Sequence, residues 1–553
     1  MQDRRVWASM RRVGSAMFAA LGTTIVLVLA GPGAERLAAA APVGVGSARA
    51  VGADPGPGYR RLPGHVLAEL RDPQWLRRHT VASRPTGAPA GPPLRLTVVL
   101  ERDHPRAFAR YLRDVYTPGN RRYRHFLTQA QLVERFGPSS ADYRQVLDYL
   151  RAQGFTLVRG SANHLTLTVQ GSEAAVDAAL RITLHRYRVD GATVRAADAD
   201  PALPTTIAAH VQAIDGLADF ATVHPALKYL INQCNSLNWG IRNRKALAKK
   251  RAACIDFYTK LVGTGSDIAG TILGPVGAIA KLLVNMYDLI SSFAAYSSPQ
   301  SMIPGDRRLV ASAPRRGPQS LPTGTGQVIG LLEFDGFHMS DVANYLAALG
   351  APAAQINQVS VVPVNGGVAS PGADEAEVLL DIDTVASIAP GAKVAVYEAP
   401  FTGQASAYAT LFNAMINGGV TVISNSWASC EDQVSQAEAQ SIDTVLQAAA
   451  AAGISVFNGT GDSGNVCEDG AANTVAVPAD SPHATAVGGT SLPNGFGPGF
   501  TYAGETWWDG SQGAPPTGQG GYGVSRYFAR PAYQDAVNGA VAMRSVPDVA
   551  ALA

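Results

Sequence analysis

The chain has 553 residues, too many for one ordinary domain, and its apolar share of 46% is that of a globular protein. The net charge of +2 excludes little, but its distribution is uneven: from Leu321 onward four basic residues (Lys393, Arg526, Arg530, Arg544) face 21 acidic ones, net −17, whereas Pro42 to Ser320 carries 36 basic against 20 acidic, net +16. A basic region can mark a nucleic-acid or membrane partner, but no nucleic-acid motif accompanies this one. The oppositely charged halves suggest regions that dock on each other, against the plainer reading of two separately solvated surfaces.

At the N-terminus Arg4, Arg5, Arg11 and Arg12 precede the apolar run Ala16–Ala30, and the small residues Ala38–Ala41 offer a cleavage site. This is the layout of a signal peptide over residues 1–41 and predicts a secreted, extracellular protein. A retained anchor is the competing reading, but Gly31-Pro32-Gly33 ends the run early. Export permits disulfides. The four cysteines form two local couples, Cys234 with Cys254 and Cys430 with Cys467; of the three connectivities these local pairs are favoured, although sequence cannot choose. No Cys-x-x-Cys spacing points to zinc.

Residues 42–93, rich in Pro, Gly and Arg, read as loose. A compact α+β pattern follows: strand Arg95–Leu100, helix His104–Tyr116, a capping box of Thr128 with Gln131, helix Asp142–Arg151, strands Phe155–Arg159 and His164–Val169, helix Glu173–Leu180 and strand Ile182–Val189. The mixture implies a small antiparallel sheet backed by helices. Residues 226–320 differ. Basic Arg242–Arg251 precedes apolar Ile268–Ile290, which is long enough to span a bilayer. Lys281 in its middle and Asp288 near its end make a span over 268–290 costly, so a helical hairpin is preferred and the span kept as a minority reading. Ser297–Leu321 reads as an exposed linker.

From Gln327 the pattern alternates: strand Gln327–Phe334, helix Asp341–Leu349, strand Val359–Val364, helix Asp374–Ile388, strand Lys393–Glu398, helix Ser406–Ile416, strand Val420–Ser426, helix Ala437–Ala452, strand Ile454–Gly459. This is an α/β fold, a parallel sheet with helices on both faces, and active groups in such sheets gather at the carboxyl ends of strands. Glu377 and Asp381 stand four apart on a helix and share a face. A solvated acidic face would explain them, but the helix is otherwise apolar (Ala376, Val378, Leu379, Leu380, Ile382), and two carboxyls sharing a proton can act as a base at acidic pH. Asp462 follows a strand in Gly459-Thr460-Gly461-Asp462-Ser463-Gly464. It reads either as a turn residue bonding backbone or as a cleft carboxyl that, when protonated, donates to an oxyanion.

These residues sit in a larger pattern. Glu377-x-x-x-Asp381 with Ala389-Pro390-Gly391-Ala392, then Ser424-Asn425-Ser426-Trp427 with Glu431, then Gly461-Asp462-Ser463-Gly464, then Pro478 through Thr490, Gly520-Gly521-Tyr522-Gly523-Val524-Ser525 and Val546-Pro547-Asp548-Val549 occur in one order. Together they resemble the sedolisins, the serine-carboxyl peptidases, over residues 377–549. Residues 95–215, with Tyr123-Arg124-His125-Phe126-Leu127-Thr128, are similar to that family's activation propeptide. The resemblance implies a subtilisin-like domain over 321–553 and an activation propeptide over 42–225 (compact part about 94–220); the helical insert and linker over 226–320 between them depart from the family's pattern. It implies Glu377 as general base, Asp381 as its orienting partner, Asp462 as oxyanion acid, and Ser424, Ser426, Trp427 and Gly461 lining the substrate cleft. The partners implied are protein or peptide substrates and the protein's own propeptide as inhibitor, with no nucleic acid. The family's nucleophile lies in a Gly-Thr-Ser segment well beyond Val-Pro-Asp, and its calcium loop lies there too, so neither a nucleophilic serine nor a metal ligand is assigned in this chain. Gly489-Thr490-Ser491 imitates the motif but follows Ser481-Pro482-x-x-Thr485 directly, on an earlier strand. A chain so built is expected to be inactive by itself. It is read as an acid-acting serine-type endopeptidase given without its serine segment, or alternatively as a catalytically dead relative that binds peptide or its own pro-segment. A subtilisin fails for want of a base: His338 and His483 lie in no His-Gly helix start. No His-Glu-x-x-His occurs for a zinc peptidase.

Overall fold

A computed structural model describes residues 51–81, 92–189, 191–225, 322–491, 506–509 and 518–552, which all belong to one compact unit, 48–553. The signal-peptide reading of 1–41, Cys234, Cys254 and the stretch 268–290 fall outside the described residues. Among the described residues no helix is long and apolar enough to cross a membrane.

The N-terminal region is built on four antiparallel strands, β1 (Leu94–Leu100), β2 (Thr156–Gly160), β3 (Thr166–Gly171) and β4 (Val211–Asp215), in the order β2-β3-β1-β4. One face, with Leu94, Leu96, Val98, Leu167, Val169 and Ile214, packs into the region's own apolar core. Helices α1 (Pro105–Tyr116), α2 (Gln129–Phe136), α3 (Ser140–Ala152) and α4 (Glu173–Leu180) belong to the same region. The capping box at α2 is formed in both directions, Gln131 N–H to Thr128 Oγ1 at 3.3 Å and Thr128 N–H to Gln131 Oε1 at 3.0 Å.

After the segment β5 (His224–Pro225) and residue 322 comes an eight-stranded sheet. Its strands are β6 (Val328–Glu333), β7 (Val359–Pro363), β8 (Lys393–Glu398), β9 (Val422–Asn425), β11 (Ser455–Gly459), β13 (Thr485–Ser491), β14 (Thr506–Trp507) and β17 (Val549–Leu552). They run in the order β7-β8-β6-β9-β11-β13-β14, with β17 also on β13. All pairings are parallel except β13 with β14. Strand β10 (Trp427–Cys430) leaves the sheet directly after β9 and pairs with β12 (Ala476–Val477); β15 (Gly523–Ala529) pairs with β16 (Met543–Val546). The helices are α5 (Met339–Ala348), α6 (Glu375–Ile388), α7 (Ser406–Asn417) and α8 (Gln436–Ala452). Ile423, Val396, Leu331, Leu379, Phe412 and Leu446 belong to one buried core. The run of fully apolar positions in β6 and β8 is what a sheet covered on both faces requires.

The two regions meet on α7 and α8. The second face of the N-terminal sheet looks hydrophilic in sequence but is buried: Thr97 Oγ1 meets Thr410 Oγ1 at 3.4 Å, Asn413 Nδ2 donates to Thr166 Oγ1 at 2.8 Å, and Gln212 Nε2 donates to Thr444 Oγ1 at 2.7 Å. The alanine-rich end of α8 lets aromatic side chains close in. Phe108, Tyr111 and Phe136 pack on Ala450 and Ala451, and the Tyr111 and Tyr116 hydroxyls donate to the carbonyls of Ala451 and Ala450 at the end of α8, at 3.2 and 3.0 Å. Gly453 ends α8 at φ 76°, and a Cβ there would stand 2.5 Å from the Phe126 ring.

Candidate active site

Strand β6 ends on Glu333, which is completely buried. The indole Nε1–H of Trp427, first residue of β10, donates to its Oε2 at 2.7 Å, and Phe334 packs edge-on against Trp427 and Tyr408 with centroids 5.8 and 5.0 Å apart. The loop before α6 is pinned by Asp335, whose carboxylate accepts from Gly372 N–H at 2.7 Å and Asp374 N–H at 2.9 Å. That fixes the start of α6, where Glu377 lies in the first turn, 1% exposed. A carboxylate there faces the positive end of the helix dipole. One turn on, Asp381 receives the Ser426 hydroxyl, which lies 2.8 and 2.9 Å from its two oxygens.

These carboxyls perturb one another. Burial pushes Asp381 up to about 6, with hydrogen bonds from Ser426 and Glu333 opposing. Glu333 is raised well above the carboxylate range, first by burial and then by the charges of Asp381, Glu377 and Glu398, against the Trp427 hydrogen bond. Burial, helped by Asp335, pushes Glu398 up to about 7. A cluster so crowded holds protons at mildly acidic pH and can pass one along its hydrogen bonds.

Asp462 stands beyond the carboxyl end of β11, two strands from Glu333. Gly461 at φ 91° and Gly464 at φ 70° shape its loop, and segment 519–522 clamps it: Gln519 N–H donates to Asp462 O, and Gly521 N–H to Gly461 O, both at 2.7 Å. Burial first, and the charge of Glu468 second, raise Asp462 well above the carboxylate range. A cavity of about 280 Å³ joins Asp462, Gly461, Ser426, Ala428, Glu468 and Trp508.

Of the residues singled out in the sequence, Ser426, Gly461 and Asp462 line this cavity. Trp427 is buried beneath it with its indole turned to Glu333. Ser424 sits inside β9, paired with Leu331 and Phe457. Cys430 and Cys467 form a disulfide with Cα atoms 5.9 Å apart. Sequence reading missed Glu333 and Glu468. Glu333 had a usable signal, an acid ending an otherwise apolar strand next to a helix that carries acids. Another unforeseen element is β5, which lies antiparallel on β10 with Pro225 opposite Trp427 and His224 opposite Ala428, and both line the cavity.

Among the described residues two groups bring possible metal ligands within 4.8 Å of one another. In one, Cys430 and Cys467 are already bonded to each other. In the other, His338, Asp341 and Glu375, the Glu375 carboxylate is held by His338 Nδ1 at 2.6 Å and His338 N–H at 2.9 Å.

Trp427→Phe is expected to leave the Glu333 carboxyl without its indole donor. Stability should fall by about 1–3 kcal/mol, measured by urea denaturation, and the loss should grow as pH rises and Glu333 is driven to ionise.

The parallel sheet with acidic groups at its strand ends is a subtilisin-like fold, preceded by an antiparallel-sheet region that lays a strand on β10. Residues 82–220 match the family described as Pro-kumamolisin, activation domain, and residues 363–525 match the Subtilase family. In both regions the chain is similar to sedolisin-family peptidases. It is 28% identical over 430 residues to kumamolisin of Bacillus sp. (strain MN-32), covering 75% of this chain and 65% of that protein. It is 25% identical over 507 residues to xanthomonalisin of Xanthomonas sp. (strain T-22), covering 84% and 54%. It is also 25% identical over 453 residues to sedolisin of Pseudomonas sp. (strain 101), covering 79% and 66%. The chain thus spans about two thirds or less of the length of these relatives. Among solved structures, Pseudomonas sedolisin complexed with two molecules of pseudo-iodotyrostatin matches at 24% identity with a TM-score of 0.36, covering 42% of this chain and 66% of that one.

Proposed function

We propose that this protein is a secreted serine-type endopeptidase zymogen that hydrolyses peptide bonds at acidic pH. The observation that carries the reading is β5 on β10: the N-terminal region sends an extended segment into the cavity beside Ser426 and Asp462, pairing backbone to backbone as a peptide substrate would. In this reading Glu377 takes the proton of the attacking serine, Asp381 orients and polarises Glu377, and protonated Asp462 donates to the oxyanion of the tetrahedral intermediate. The propeptide occupies the cleft until it is cut away.

The buried carboxyls support an acidic working range. Asp381 and Asp432 are raised to about 6 and Glu431 to about 7, each first by burial. A carboxyl raised in the folded state contributes stability that is fully present below its unfolded pKa, near 4, and is lost as pH rises through the folded value, here about 6 to 7. The fold is therefore best held under acid conditions.

Ser491 is not the nucleophile in this reading. It ends β13, pairs with Thr506, and its carbonyl accepts from Thr506 Oγ1 at 3.3 Å. Residues 1–553 expressed alone are expected to cleave no casein at any pH, and the chain carried on through a downstream Gly-Thr-Ser segment is expected to cleave it near pH 4. Casein cleavage by residues 1–553 that disappears in Ser491→Ala would overturn the assignment. No cleavage by the extended chain would favour a peptide-binding relative without turnover.

A further inference from the structure

The loop that carries Asp462 is held from one side by a single carboxylate. Glu468 Oε1 accepts the Asp462 N–H at 2.5 Å and Glu468 Oε2 accepts the Ser463 hydroxyl at 3.0 Å, so one side chain grips two consecutive residues. A Cβ at Gly461 would stand 2.5 Å from that same Oε1, so the absence of a side chain at 461 is what lets the carboxylate approach. Glu468 is itself anchored: its neighbour Cys467 is bonded to Cys430, the last residue of the cleft strand β10. Cys467 N–H also donates to Ala471 O at 2.9 Å. Strand β10, the disulfide, Glu468 and Asp462 thus form one connected frame around the cavity, and Glu468 borders that cavity.

We propose that Glu468 is a positioning residue for Asp462: it fixes the loop and sets a second carboxylate beside Asp462, so that Asp462 serves as a hydrogen-bond donor and not as an anion. The proposal rests on the reading of Asp462 as the oxyanion acid. A carboxyl can donate only while it holds its proton, and a like charge nearby favours that state. The other titratable groups around the cavity and its frame do less. His224 reaches the cavity from β5. Asp469 accepts from Gln433 Nε2 at 3.0 Å and acts on Asp432. Asp509 follows the cavity residue Trp508 and pairs with Gln519. The charge that acts on Asp462 is that of Glu468.

The test is the titration of the Asp462 carboxyl in the whole chain, followed by isotope-edited infrared spectroscopy and assigned by its disappearance in Asp462→Asn. Glu468→Gln, which keeps an acceptor oxygen but removes the charge, is expected to lower the Asp462 midpoint by about one pH unit. Glu468→Asp, which keeps the charge, is expected to lower it much less. Should the glutamine variant not fold, the aspartate variant and wild type at high and low salt carry the same comparison, high salt being expected to lower the midpoint. A midpoint unmoved in folded Glu468→Gln, lowered equally by Asp and Gln, or insensitive to salt where only Glu468→Asp folds, overturns the proposal. In a protein that turns over peptide, Glu468→Gln should also shift the alkaline limb of kcat to lower pH, and should shift nothing when Asp462 is already Asn. If the midpoint moves as expected while wild type cleaves no peptide, the peptidase reading fails and the positioning role stands.

Discussion

Replacing Glu377 with glutamine is expected to lower kcat by roughly a hundred- to ten-thousand-fold, the range spanned by a lost general base, in the protein carrying its serine segment. Glu377 lies in the first turn of α6 and is almost wholly enclosed, so the isosteric amide fits the same space. What the amide cannot do is accept a proton. Asp381, which Ser426 orients and burial raises to about 6, should tolerate asparagine better, because its part is to align and polarise the base. The check is steady-state kinetics on a peptide across about pH 3 to 6, with far-UV circular dichroism to confirm the fold. Wild-type turnover by Glu377→Gln would reduce the pair to a buried acidic face with no part in the chemistry.

How far the site is legible in the sequence depends on distance along the chain. The α/β core can be read element by element: the strand expected over Lys393–Glu398 occupies those residues, and α6 and α8 begin within one residue of the expected positions. Each carries its own signal, an apolar run bounded by glycine or proline, or a cap. Glu377, Asp381 and Asp462 stand out in the sequence because each sits in a local motif. Glu333 does not, because its role comes from Trp427, 94 positions away, whose indole N–H it accepts. The same holds for Thr97 and Thr410, 313 positions apart, which resemble solvated side chains until the two regions are docked. Glu468 lies only six residues from Asp462, yet the bend that turns it back depends on Gly461, Gly464 and a disulfide partner 37 residues away.

The docked regions also correct a simple reading of the charge split. With net +16 over residues 42–320 and net −17 from residue 321 on, the halves should attract at neutral pH and loosen as acid neutralises carboxylates. The interface is not organised that way throughout. The ion pair Arg526–Glu69, 3.7 Å, has its acid on the basic region and its base on the acidic one. More telling is a pair of like groups. Asp215, at the end of β4 and fully buried, accepts the Ser441 hydroxyl at 2.9 Å and faces Glu438. Glu438 caps α8 through Ser435 and takes Gly216 N–H on Oε1 at 3.2 Å. Burial first, then the Glu438 charge, raises Asp215 well above its usual value, and burial raises Glu438 against its three hydrogen bonds. His65, whose Nε2 accepts Ile214 N–H at 3.0 Å, is pushed down to about 4 by burial, so it stays neutral over most of the range between 4 and 7. Docking therefore takes up protons at this pair. Its contribution is fully present below the ordinary carboxyl pKa, near 4, and is lost as pH rises through the raised values, opposite in sign to the long-range attraction. Asp215→Asn removes the acid while its amide can donate to Glu438. It is expected to raise the hydrogen-exchange protection of β4 and α8 amides in the intact chain at pH 7 by about tenfold for each pH unit by which Asp215 had stood above an ordinary carboxyl, and to change it little near pH 4. What pH dependence remains should follow the net charges, weakening in acid and with salt. Lower protection at pH 7 in Asp215→Asn, or an equal gain at both pH values, would mean that the buried pair does not govern how tightly the pro-region is held.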